Sequence, residues 1–270
     1  MNFFQLLVLG VVQGITEWIP VSSKTQVTFV YLKFFQGDPQ LVVPILLYVH
    51  LGTVIAATLY FRKELSGIIR EIADNPYHFR YHVNGKAGFL FVSLVCTGII
   101  GIPLLIVEKE LFSSIDAGLL YALMGGGLIV TGLLLLSQKT RNLRTRQSVS
   151  WKDGFFAGIL QGFSVLPGIS RSGTSTTGLI WRGFDSGSSF YLSFLLSIPT
   201  VILAEIILTY GFSGTEDFPV PEGIILLMTS FFMGYLTLDT LLRIVQKINI
   251  AYVVLILGAF IVIIGISGAG

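Results

Sequence analysis

Along this chain, long apolar runs alternate with short polar stretches, and two of the runs carry polar residues in their middle. Leu41 to Phe61, Ala87 to Val107, Ala117 to Ser137, Ser188 to Tyr210, Gly223 to Leu242 and Ile250 to Ser267 are unbroken. A helix of ~20 apolar residues crosses the hydrocarbon of a bilayer, so these six predict full transmembrane helices. Phe3 to Phe35 is equally apolar but is interrupted by Glu17, Pro20, Ser22, Ser23, Lys24, Thr25 and Gln26. Gly154 to Gly183 is interrupted between Leu166 and Gly178, where Pro167, Gly168 and Gly173 are expected to stop a helix. Each of these two runs predicts two half-helices meeting at a polar break. Arg62 to Lys86 and Gln138 to Asp153 are polar connections, the first with an amphipathic piece around Leu65 to Ile72, and Glu108 to Asp116 reads as a short loop.

Composition agrees with that pattern. Of 270 residues, 53% are hydrophobic and 12% charged. This is the profile of an all-α polytopic membrane protein, one membrane domain over 1–270, rather than a soluble domain. Cys96 is the single cysteine, so neither a disulfide framework nor a thiolate metal site is available. The net charge of +2 gives no ground for a nucleic-acid partner. Met1 to Leu9 lacks the basic start and cleavage site of a signal peptide, so the first apolar run is expected to stay in the protein.

Charge then sets an orientation. The connections 62–86 and 138–153 each carry five Lys or Arg, and 243–249 carries Arg243 and Lys247, whereas 108–116 and 212–222 together hold only Lys109. The basic connections are therefore expected on the cytoplasmic side. Counting crossings, 3–35 must dip in from the outside and 154–183 from the inside. That implies an inverted repeat of roughly 1–137 and 138–270 with two opposed re-entrant helix pairs. A register supports it: Pro20, Ser23, Lys24 and Thr25 fall on Pro167, Ser170, Arg171 and Ser172 at an offset of 147, which also carries Thr53-Val54-Ile55 onto Thr200-Val201-Ile202. Gly10, Gln13 and Gly14 fall on Gly158, Gln161 and Gly162 at 148. Inverted repeats with broken helices place their site near the midplane, where the breaks meet.

The chemistry concentrates at those breaks. In the second, Arg171 stands among Ser170, Ser172, Gly173, Thr174 and Ser175. A lone charge at membrane depth costs roughly 3 kcal/mol or more and needs a partner or a water-filled cavity. Freed backbone N–H groups, hydroxyls and a guanidinium supply more donors than acceptors, which suits a phosphate or diphosphate; the alternative is a polar break lined by water. In the first break, Gln13 and Glu17 are four apart and share a helix face. Glu17 can pair with Arg171 or Lys24, can hold Mg²⁺ or Ca²⁺ against phosphate oxygens, or can act as a general base. A plain Glu17–Arg171 ion pair is the structural alternative. Ser22 and Ser23 can donate to phosphate, either can be a nucleophile beside a base, and either can simply cap a helix.

These residues resemble the motifs of the undecaprenyl-diphosphate phosphatase family, also known as bacitracin-resistance proteins. The family's Glu/Gln-x-x-x-Glu matches Gln13-Gly14-Ile15-Thr16-Glu17, its Pro-Val-Ser-Ser matches Pro20-Val21-Ser22-Ser23, and its Pro-Gly-x-Ser-Arg-Ser matches Pro167 to Ser172. Length and hydropathy agree over essentially the whole chain. The resemblance implies an integral plasma-membrane phosphatase with its active site open to the outer face. It would convert a C55-type polyprenyl diphosphate to the monophosphate carrier used in envelope glycan synthesis. It also implies Glu17 as the essential carboxylate, Ser23 as candidate nucleophile, and Arg171 with Ser170 and Ser172 as the diphosphate clamp.

The chain departs from the family in ways that mark a divergent branch. Bacterial members continue Ser-Ser-x-Gly-His, whereas Lys24-Thr25-Gln26 follows here, so Gln26 replaces an imidazole. Glutamine cannot take a proton, and metal-assisted attack by Ser23 or water with Glu17 as base remains open. The second motif's closing threonine becomes Ser175. Lys24 adds a positive charge expected to help Arg171 neutralise the diphosphate. His50, where the family looks to carry glutamine, either supplies an imidazole to the cavity or is a packing residue. The substrate-binding set expected is thus Gln13, Ser22, Lys24, Gln26, His50, Ser170, Ser172, Gly173, Thr174 and Ser175. His78 and His82 are expected in solvent, and Glu205 is a weaker cavity candidate. Expected partners are the polyprenyl diphosphate and membrane lipids, with a homodimer as an allowed assembly. The rival class is a transporter that flips polyprenyl phosphate through the same cavity.

Overall fold

The computed structural model describes residues 1–74, 84–112, 115–138, 144–211, 218–244 and 248–267. His78, His82, Arg80, Arg141 and Lys247 lie outside them. The described residues form helices and no named strand. In chain order these are α1 (Phe3–Thr16), α2 (Ser23–Phe29), α3 (Val42–Tyr60), α4 (Arg62–Asp74), α5 (Lys86–Phe112) and α6 (Ala117–Leu136). They continue with α7 (Trp151–Gly162), α8 (Arg171–Trp181), α9 (Ser186–Gly211), α10 (Val220–Ile244) and α11 (Ile250–Ile266). Among the described residues, five stretches are long and apolar enough to cross a membrane: Pro39–Tyr60, Lys86–Glu108, Ala117–Leu136, Ser186–Thr209 and Val220–Ile244. The sixth expected span, α11, is apolar but has 17 residues. The described residues thus have the all-helical build and the span-length apolar helices of an integral membrane protein.

Both interrupted runs are broken helices. α1 starts with an Asn2–Gln5 capping box and ends at Glu17; α2 then starts after Ser22, whose φ is 57°. α7 starts with a Ser150–Asp153 capping box and passes through a 3₁₀ turn, Phe163–Val165, before α8 starts at Arg171 with Ser170 as its cap. Two boundaries differ from expectation. Gly173 does not stop a helix but sits in the first turn of α8, where a Cβ would lie 2.7 Å from the Thr131 methyl and 3.3 Å from Pro20 Cβ. Its role is close packing between the two breaks. Glu108 does not open a loop, because α5 runs on to Phe112 and Glu108 is neutralised there by Lys24.

Small residues let the helices approach closely, the means by which helices associate in lipid. α6 and α11 run antiparallel in backbone contact. A Cβ on Gly125 would lie 2.6 Å from the Gly258 carbonyl oxygen, and one on Gly258 2.8 Å from that of Gly125. Gly10 and Gly14 seat α1 on Thr229 and Met233 of α10, while Gly158 seats α7 on Ser93 of α5. A buried cluster around Trp18, Phe61, Phe89, Phe184, Phe190 and Phe194 fills the region behind the first break. Trp18 is fixed there by its indole N–H, which donates to the Gly234 carbonyl at 3.0 Å. Large apolar side chains such as Ile99, Leu236 and Ile256 point outward and are exposed, as lipid-facing residues are.

Candidate active site

The two breaks meet. The end of α1 delivers Glu17, the start of α2 delivers Ser23 and Lys24, and the start of α8 delivers Arg171 and Ser172 to one cavity of about 180 Å³. Its wall is completed by His50 from α3, Leu105 and Glu108 from α5, Ser164, Val165 and Ile169 from the second break, and Thr200, Val201, Ala204, Glu205 and Leu208 from α9.

Glu17 is the hub. Its side chain is 4% exposed and forms an ion pair with Arg171 through Oε1. Oε2 accepts from Ser23 Oγ at 2.5 Å and from Gln13 Nε2 at 2.8 Å. The helical spacing of four brings Gln13 over Glu17, and the turn at Ser22 brings Ser23 back onto it. Arg171 Nη1 donates to the Ser197 carbonyl at 3.3 Å, which orients the guanidinium towards Glu17. A buried charge removed from its partner costs about 3–5 kcal/mol, so Glu17 and Arg171 hold each other in place. His50 lies between two carboxylates, with Nε2 3.8 Å from Glu17 and Nδ1 3.8 Å from Glu205.

The second break supplies a turn of donors. Gly168 has φ +81°, and a Cβ there would run into the Met124 carbonyl, so only glycine fits. The Ser170 backbone N–H donates to Thr131 Oγ1 at 3.0 Å, while Ser170 Oγ accepts from the Gly173 N–H at 3.3 Å and lies 3.2 Å from Ser172 Oγ. α8 therefore starts at the cavity, and its N-terminal end favours an anion.

Not every expected residue reaches the cavity. Ser22 lines it and bonds Thr25 at 3.0 Å. Gln26 instead closes the first break, donating to the Val21 carbonyl at 2.9 Å. Thr174 and Ser175 donate back to carbonyls of their own helix, and Ser175 also meets Ser193 at 2.7 Å. Gln13 touches the site only through Glu17. Lys24 lines the cavity, but its ammonium is held by Glu108 and lies 3.3 Å from the Val165 carbonyl. Glu108, Ser164 and Thr200 were not among the expected site residues. Nothing in the sequence pointed to Glu108, which closes an apolar run.

The wall carries three carboxylates, Glu17, Glu108 and Glu205, against two fixed cations, Lys24 and Arg171. Among the described residues no group of three His, Cys, Asp or Glu side chains forms a ready-made metal cage. Hard-oxygen donors are nonetheless at hand in the Glu17 and Glu205 carboxylates that line the cavity. Mg²⁺ needs only one or two protein oxygens when phosphates and water supply the rest, so this donor set fits a divalent cation bound together with a phosphate.

Fold and site together define a helical membrane protein with a carboxylate–serine–guanidinium centre in an intramembrane cavity. The family model described as bacitracin resistance protein BacA matches residues 6–266, and the chain belongs to that family. It is similar to proteins named undecaprenyl-diphosphatase. That of Methanococcoides burtonii is 34% identical over 97% of this chain and 98% of the relative. That of Haloarcula marismortui is 35% identical over 90% and 89%, and that of Methanopyrus kandleri 34% identical over 96% and 94%.

Proposed function

We propose that this protein hydrolyses a polyprenyl diphosphate of the undecaprenyl type to the monophosphate and inorganic phosphate, and so recycles a lipid carrier for envelope glycan synthesis. The observation that carries the reading is the Ser23 hydroxyl donating to Glu17 at 2.5 Å while Arg171 pairs with the other carboxylate oxygen. A serine hydroxyl is a weak nucleophile until a base takes its proton, and here the base is already in contact.

On this reading Arg171, Ser170, Ser172 and the start of α8 hold the terminal phosphate. Ser23 Oγ attacks its phosphorus, its proton passes to Glu17, and the bond from phosphorus to the bridging oxygen breaks, releasing the prenyl monophosphate. Glu17 gives that proton up to the departing monophosphate and is a carboxylate again. Water then attacks the phosphoserine phosphorus, Glu17 takes the water's proton and hands it to Ser23 Oγ as the phosphorus–Oγ bond breaks, and phosphate leaves. Direct attack by water is the variant without the covalent intermediate. A divalent cation held at Glu17 would neutralise phosphate charge, which the excess of carboxylates in the wall calls for. His50, in contact with Glu17 and Glu205, keeps the base in place. Ile19, Leu105, Val201 and Leu208 offer apolar wall to the first prenyl units.

The broken helices, read as two opposed re-entrant pairs of an inverted repeat, support an active site open to the outside of a plasma membrane. Glu108, Leu105 and Leu208 line the cavity near those ends of α5 and α9 that the charge asymmetry puts outside. The packing of α6 on α11 fits the same symmetry. Gly125 meets Gly258 at the centre, and Gly118 meets Gly265 one side of it, with 2.5 Å from a Gly265 Cβ to the Gly118 carbonyl. This symmetry also favours a second reading, flipping of polyprenyl phosphate. The two separate in vesicles. Catalysis predicts phosphate release that Glu17→Gln lowers about 100- to 10,000-fold while diphosphate binding persists. Transport predicts no release by the wild type and movement of lipid phosphate between leaflets.

A further inference from the structure

Lys24 and Glu108 form the one ion pair on the cavity wall besides Glu17–Arg171 among the described residues whose pairing does not involve histidine. The Lys24 side chain is 30% exposed and Glu108 only 7%. Lys24 directly follows Ser23, and its ammonium reaches from the first break across to the outer part of α5, and to Val165 of the second break. A cation beside the reacting hydroxyl is where a diphosphate needs one, yet in this structure a carboxylate already occupies it.

We infer that Lys24–Glu108 is a displaceable latch that discriminates diphosphate from monophosphate, an inference that rests on the phosphatase reading. A diphosphate brings two phosphate groups. One seats on Arg171, and the other takes Lys24 from Glu108. Hydrolysis removes one of them, the remaining lipid monophosphate carries less negative charge, and Glu108 recaptures Lys24. The product is then held by fewer contacts and leaves. Glu108 acts through Lys24 and is a specificity-determining residue; it does not touch the reacting atoms. A purely structural pair would behave differently, because its loss would lower stability without changing the order in which the two lipids bind.

The test uses purified full-length protein in detergent, with farnesyl diphosphate as substrate and farnesyl monophosphate as product inhibitor, assayed with Mg²⁺. Glu108→Gln removes the carboxylate that competes with phosphate for Lys24, so KM for the diphosphate should fall about tenfold, inhibition by the monophosphate should tighten at least as much, and kcat should fall as release slows. Lys24→Met should raise KM about tenfold, with Lys24→Arg restoring it to within a few-fold. Glu108→Asp keeps the charge on a shorter arm and should give values between wild type and Glu108→Gln, which covers the case of poor folding by the glutamine variant. Wild-type release of phosphate together with an unchanged or raised KM and unchanged monophosphate inhibition in both Glu108 variants would overturn the latch. Absence of release by the wild type would instead overturn the phosphatase reading on which it rests.

Discussion

Glu17 and Arg171 line the cavity as an ion pair that neither residue could leave alone in an apolar surrounding. Their meeting was legible in the sequence for a simple physical reason: a lone carboxylate and a lone guanidinium inside apolar runs each need a counter-charge, and the two breaks were the only places to bring them together. The contribution of Arg171 is charge delivered as a fork. Arg171→Ala should lower kcat about 100- to 1,000-fold, and Arg171→Lys should recover only part of it, as read in a phosphate-release assay on protein that still binds lipid. Glu108 was not legible, because it stands at the end of an apolar run, where an acidic residue ordinarily marks the start of a loop. Gln26 was misleading in another way. Its place in the motif pointed to the substrate, but its amide is used on the Val21 carbonyl that the break leaves open.

At the scale of elements, the breaks work because their backbone is held as firmly as a helix. Gly168 is the tightest point, with positive φ and the Met124 carbonyl where a side chain would begin. Gly168→Ala should cost about 1–3 kcal/mol from backbone strain, more with the steric clash, and should reduce phosphate release by displacing Ser170 and Arg171; thermal unfolding and activity, measured together, check this. α4 lies outside the spans and carries a separate ion pair. Glu64 accepts from Lys86 and from the Tyr191 hydroxyl, the latter at 3.0 Å. Burial pushes the Glu64 carboxyl up, but these donors outweigh it and hold the group below its ordinary value. The depressed pKa means that Glu64 stabilises the fold above the unfolded value of 4.5 and that this contribution is lost as pH falls through the folded value. The difference in melting temperature between wild type and Glu64→Gln should therefore shrink below pH 4.5, and a difference that grew on acidification would contradict the assignment. The amphipathic piece at Leu65 to Ile72 anticipated α4, whereas its anchoring by Lys86 and Tyr191 depends on tertiary contacts that periodicity does not encode.

For the whole molecule, hydropathy was enough to give the class, and five of the six expected full spans are helices of full crossing length. Helix ends were less legible: α5 runs past its apolar stretch and α8 includes Gly173, since a paired charge or a close neighbour changes what a local breaker does. The close contacts of α1 on α10, α7 on α5 and α6 on α11 all use small residues whose spacing of four or seven is visible in the sequence, although their partners are not. This framework holds two broken helices so that a carboxylate, a hydroxyl and a guanidinium converge in one cavity whose wall also carries apolar side chains, the setting that the proposed reaction on a lipid headgroup requires. The most direct measurement is phosphate release by the purified protein from a C55 polyprenyl diphosphate, with Mg²⁺, with Ca²⁺ and with chelator. The proposed function predicts release by the wild type that depends on a divalent cation and falls about 100-fold or more in Glu17→Gln. Intact binding of the diphosphate with no release under any of these conditions would contradict it and leave movement of the lipid as the function of the cavity.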